Sequence, residues 1–79
     1  MSASVPVATI KKNSREEIDI SLDFFNGNRV FNARVFYEAE DGTRRPGKAG
    51  LAFTVDKLEA FAEGVTSALM AAKSKGFLK

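Results

Sequence analysis

Polar and apolar residues alternate most cleanly between Glu16 and Phe25, where Ile18, Ile20, Leu22 and Phe24 fall on one side and Glu17, Asp19, Ser21 and Asp23 on the other. A period of two predicts a strand with one buried and one wet face. Asn26-Gly27-Asn28 tolerates positive φ and is followed at once by a new apolar run over 29–39, so the two segments form a hairpin. Asp41-Gly42 gives a second hairpin signal, leading into a fourth strand over 44–54. A short β-prone run over 7–12, ended by Asn13-Ser14, predicts a first, edge-like strand. After Phe53 the period changes: Leu58, Phe61, Ala62, Val65, Leu69 and Ala72 recur at spacings of three and four, one apolar stripe on a helix over 55–75. Asp56 followed by Glu59 reads as a capping box, with Thr54 as a competing cap, and Gly76 as the stop. The expected class is α+β: a four-stranded antiparallel sheet followed by one long C-terminal helix that covers one sheet face and leaves the other open.

Length changes this picture. A chain of 79 residues forms one domain, here 7–76, and buries only about 60% of its unfolded surface. Small domains compensate with disulfides or metals, but this chain has no cysteine and no histidine, which leaves homodimerisation. Residues 1–6 are small and uncharged and are expected to be disordered. They lack the pattern of a signal peptide, and no apolar run approaches the roughly 20 residues that span a bilayer, so the expectation is a soluble intracellular protein.

A net charge of +2 is only mildly basic, but its distribution is uneven. Arg44-Arg45-Pro46-Gly47-Lys48-Ala49-Gly50 packs three cations, a proline and two glycines into seven residues. Pro46 cannot donate to a ladder and the glycines permit close approach, which predicts an edge strand with a bulge. An edge carrying Arg44, Arg45 and Lys48 offers a place for a polyanion to lie, and Lys11, Lys12 and Arg15 form a second basic group. Tyr37 and Phe25 stand beside basic segments at strand ends, where a ring either stacks on an unpaired base or packs in the core. Phe31, Phe36, Phe53 and Phe61 are assigned to the core or a subunit contact. Arg34 meets either a phosphate or a carboxylate, with Glu38 and Asp23 within reach. Without His or Cys there is no imidazole base or thiol nucleophile, so no enzyme is expected. Asp19 and Asp23 share a strand face that either holds a hard cation or is simply solvated; no cofactor or metal is assigned.

From Phe25-x-Gly27, through the apolar run Val30 to Tyr37 with Arg34 inside it, to Arg45-Pro46-Gly47-Lys48-Ala49-Gly50, the chain resembles the single-stranded DNA-binding domain of the positive cofactor 4 family of transcriptional coactivators. The resemblance covers about 15–70. It implies a homodimer of curved sheets gripping single strands, no catalysis, and contacts at Arg34, Tyr37, Phe25, Arg45 and Lys48. Asn26, Asn28, Asp23 and Ala49 stand where family members carry cations, which implies weaker and less salt-dependent binding. A bare domain of this kind is similar to bacterial members. The expected partners are single-stranded DNA, with duplex DNA or RNA bound more weakly, and the transcription machinery; the alternative is a dimeric module that recruits that machinery with incidental DNA affinity. The expected location is the cytoplasm, at the nucleoid, in a bacterium, or the nucleus in a eukaryote. Strict alternation puts Arg34 and Tyr37 on opposite faces of the third strand, so a bulge or twist is needed for both to meet one ligand.

Overall fold

The computed structural model describes residues 4–78. Its elements run β1 (Val5–Lys11), β2 (Glu16–Phe25), β3 (Asn28–Glu38), β4 (Arg44–Thr54), a 3-10 turn (Val55–Lys57) and α1 (Leu58–Ser74). The strands form one antiparallel meander in the order β1-β2-β3-β4, so β1 and β4 are both edges. β1 starts at Val5, with Val5 paired to Leu22 and Pro6 to Ser21, earlier than the sequence pattern suggested. The disorder expected for residues 1–6 therefore does not extend to Val5 and Pro6, which the β2 ladder holds. For residues 1–3 the expectation lies outside the described residues.

Both hairpins follow from local chemistry. Asn26 at φ 52° and Gly27 at φ 78° form a two-residue loop, the left-handed pair that matches strand twist. The second connection is tighter than its length suggests: the Gly42 amide donates to the Ala39 carbonyl at 2.9 Å and the Ala39 amide to the Thr43 carbonyl at 2.8 Å, with Gly42 at φ 85°.

Register separates two faces. One carries Ile18, Ile20 and Leu22 opposite Val35, Ala33 and Phe31, with Leu51 and Phe53 beyond. Phe31 is its buried centre, stacked on Phe53 with ring centroids 5.0 Å apart and met by Phe61 of α1 at 5.9 Å. The other face carries Glu17, Asp19, Ser21 and Asp23 opposite Phe36, Arg34, Asn32 and Val30. Phe36, expected in the core or at a subunit contact, shares its face with Arg34 and Asn32 because it is an even number of positions from both.

The helix departs from expectation. α1 has no buried residue; Val65 and Leu69 are 53% and 46% exposed, so the stripe does not cover the sheet. The 3-10 turn sends the helix off the end of β4, and Phe61 near its start meets the Phe31–Phe53 pair. The capping box is absent as well. Thr54 donates its hydroxyl to the Asp56 carboxylate, which occupies both candidate caps with each other, and neither helical start has a side-chain cap. Gly76 does end the helix: at φ 76° it donates to the Lys73 carbonyl, and Phe77 donates to Ala72, a Schellman closure.

β4 is irregular where Arg44 to Gly50 predicted it. Its ladder shifts between the Arg34–Gly50 and Phe36–Pro46 pairs, so Gly47, Lys48 and Ala49 stand opposite Val35 alone. Gly50 makes that return possible. At φ 155°, a Cβ there would lie 2.6 Å from the Ala33 carbonyl oxygen and 3.1 Å from the Arg34 Cα, both fixed backbone atoms. Gly50→Ala is expected to cost about 1–3 kcal/mol or more in a urea melt. Gly64→Ala, inside α1 with nothing within 4 Å of the added methyl, is expected to raise stability by about 0.5–1 kcal/mol. Equal midpoints for the two variants would refute this account of the bulge.

Candidate functional site

The polar face is hollowed in two places. One concavity is bounded by Thr9, Asp19, Asp23, Asn32 and Arg34, the other by Lys11, Arg15, Glu17, Tyr37 and Arg44. Phe36 lines both, so the two adjoin at its ring as a shallow trough across the strands. Arg34 and Tyr37, which alternation assigns to opposite faces, line one concavity each and share neither. β2 and β3 pair without a break, so the irregularity lies in β4 and not in β3.

The trough's floor is not cationic. Asp23 accepts hydrogen bonds from Ser4 at 2.6 Å and from Ser21 and Asn32 at 3.1 Å. Those donors, Ser4 foremost, hold its carboxyl below the usual range and keep it ionised. The Asn32 side-chain oxygen is buried beside it and accepts no hydrogen bond from the described residues. Asp19 accepts from Thr9 at 3.2 Å and from Arg44. Arg34, half-buried, donates to the Gly47 carbonyl at 3.5 Å rather than to Glu38 or Asp23, which ties the strand arginine to the bulge.

Each expected cation has a distinct position. Arg44 does not join Arg45 and Lys48 on an open edge. It reaches back across the sheet, donating to Glu17 at 2.8 Å and to Asp19, with its guanidinium carbon 4.4 Å over the centre of the Phe36 ring. The two carboxylates, Asp19 first, hold the guanidinium still more firmly charged. Arg45 lies opposite Tyr37 in the ladder and is steadied from the turn by Asp41 at 3.2 Å and Thr43 at 3.1 Å. Asp41 is itself held below the usual carboxyl range, mainly by hydrogen bonds from Thr43. Lys48 stands exposed in the bulge, and among the described residues neither it nor Lys11 has a polar or charged partner. Lys12 is paired with Glu16 at 2.9 Å.

The aromatics also divide. Tyr37 is 40% exposed at the trough's end, beside Arg45. Phe25, 67% exposed, sits at the far hairpin opposite Asn28. Nine positions of β3 separate Asn28 from Tyr37, about 30 Å of strand, so the two rings mark opposite ends of a path and not one cluster. Phe36 is the functional candidate that the core assignment missed; its parity with Arg34 was the signal available.

This surface combines planar groups along a trough with cations on its rim, suited to a ligand that is flat in one part and anionic in another. Among the described residues no group of three or more His, Cys, Asp or Glu side chains converges to hold a metal ion, and no helix is long and apolar enough to cross a membrane.

The family model of the transcriptional coactivator p15 (PC4) matches residues 12–64. A PC4 homologue from Burkholderia pseudomallei K96243 has a similar crystal structure, with TM-score 0.71 and 24% identity over 80% of this chain and 85% of that one. The bacteriophage T5 homologue of the eukaryotic coactivator PC4, implicated in recombination-dependent DNA replication, gives TM-score 0.70 and 15% identity over 90% of this chain and 82% of that one. At these identities the likeness is one of fold. No curated protein matches.

Proposed function

This chain belongs to the transcriptional coactivator p15 (PC4) family, whose model spans more than half of it, and from that premise we propose that it is a homodimeric protein that binds single-stranded DNA with little sequence preference and acts as a coactivator-like regulator. Its fold neighbours come from a bacterium and a phage, in keeping with a bacterial-type member. The observation that carries the reading is the pairing of Tyr37, which borders the open trough, with Arg45 across the β3–β4 ladder, on the same strand as the partnerless Lys48. A stacked base contributes about 1–3 kcal/mol without regard to its identity, and rim cations add a sequence-blind attraction for phosphate. The dimer is supported by the uncovered apolar stripe of α1, which needs a second apolar surface. The reading includes no catalytic step.

The test is a fluorescence titration with oligo-dT against a duplex of matched length, over a range of salt. The single strand is expected to bind more tightly. Arg45→Ala with Lys48→Ala is expected to keep the fold, weaken binding, and flatten the slope of log K against log salt by about 1.4, since each phosphate contact on a single strand contributes about 0.7. Equal, weak binding to both ligands would favour a protein-recruiting module instead. An unchanged slope in the double variant would remove the rim from the account.

A further inference from the structure

Arg44 is the one cation in the basic run whose charge is already spent inside the trough. It sits between Glu17 and Asp19, so the three groups together carry one net negative charge. A phosphate arriving there meets repulsion, and to take Arg44 as a ligand it must break two ion pairs. An uncharged ring meets neither obstacle. Two of the guanidinium's donor edges are directed at carboxylates, one side of the group rests on the Phe36 ring at 4.4 Å, and the side chain is still 46% exposed. Arg44 and Phe36 both line the concavity that Tyr37 also borders. Guanidinium planes, like aromatic rings, are surfaces on which unpaired bases stack.

We propose that Phe36 and Arg44, fixed by Glu17 and Asp19, form a two-layer platform on which a nucleobase stacks, and that Arg44 is a base contact and not a phosphate contact. This rests on the single-stranded DNA reading and assigns it a further specific subsite. The carboxylates act as positioning residues: they hold the plate in place and cancel its charge, so the centre of the trough selects bases while Arg45 and Lys48 take the backbone. The path then has an order, with phosphates on the β4 rim and bases turned inward across β3.

The test compares two probes of equal length, oligo-dT and an abasic strand that keeps the phosphates without bases. Arg44→Lys preserves a cation for Glu17 and Asp19, and with it the fold, but removes the planar group. It is expected to weaken oligo-dT binding on the order of tenfold, with the salt slope unchanged and no effect on the abasic strand. Arg44→Ala, checked for folding by its thermal melt, leaves Glu17 and Asp19 uncompensated and is expected to weaken both probes, oligo-dT more than the abasic strand. Wild-type affinity for oligo-dT in Arg44→Lys, or equal weakening on both probes, overturns the platform. A wild-type chain that binds neither strand overturns the reading beneath it, so the two failures are distinguishable.

Discussion

Val65→Asp with Leu69→Asp is expected to convert the proposed dimer into monomers in sedimentation experiments, halving a mass that starts at twice the 8.6 kDa of the chain. The two side chains lie on the stripe that begins at Leu58 and Phe61, and in the isolated chain they remain 53% and 46% exposed. Fully burying an aliphatic side chain of this size contributes about 1.5–3 kcal/mol, and roughly half of that is still unclaimed at each position. In the proposed dimer four such side chains would meet across a twofold axis. Their combined loss is on the order of 4 kcal/mol, about three decades in dissociation constant, before the cost of placing carboxylates in an apolar contact. The helix should loosen with the dimer, because 17 residues without tertiary support are marginal in water. A fall in helical circular dichroism at the same protein concentration checks this. A wild-type mass of 8.6 kDa, or a charged variant that keeps the double mass, would contradict the role given to the stripe.

Phe31→Ala is expected to have the largest effect on the fold itself. Phe31 is 8% exposed, stacked on Phe53 and touched by Phe61, so it joins β3, β4 and α1 at one point. Truncating a buried phenylalanine costs about 3–5 kcal/mol, against a total stability of about 5–15 kcal/mol for a typical domain. At about 4–8 °C per kcal/mol, the melting midpoint should fall by more than about 12 °C. The same truncation at Phe25, 67% exposed beyond the end of this cluster, should move the midpoint little. Comparable losses for both variants would show that the cluster is not where the sheet and helix are joined.

The contrast between Phe31 and Phe36 shows how far the sequence could be read. Both lie in one apolar run, and composition places both in the core. Strand parity separates them, since Phe31 shares a face with Ala33 and Val35 and Phe36 with Asn32 and Arg34. The bounds of β2 and β4, both turns and the edge position of Pro46 followed from local rules of period two, positive φ and missing donors. Arg44 illustrates what those rules omit. Its neighbours in sequence are cations and a proline, yet its partners come from β2, 27 and 25 residues away. A run of basic residues in sequence became one neutralised plate, one turn-braced arginine and one free lysine.

By itself the sequence determined the elements and their order, because backbone preferences and hydrophobic period act over a few residues. It also carried the family likeness, through the glycines and cations around Pro46. Only the tertiary structure decided which charges are spent and which are available, because ion pairing depends on cross-strand register and on the bulge opposite Val35. It decided likewise that the helix stripe stays open. The direction in which α1 leaves β4 is set by the turn at Val55–Lys57 and the Phe31–Phe53–Phe61 contact, and periodicity along the chain carries no information about either.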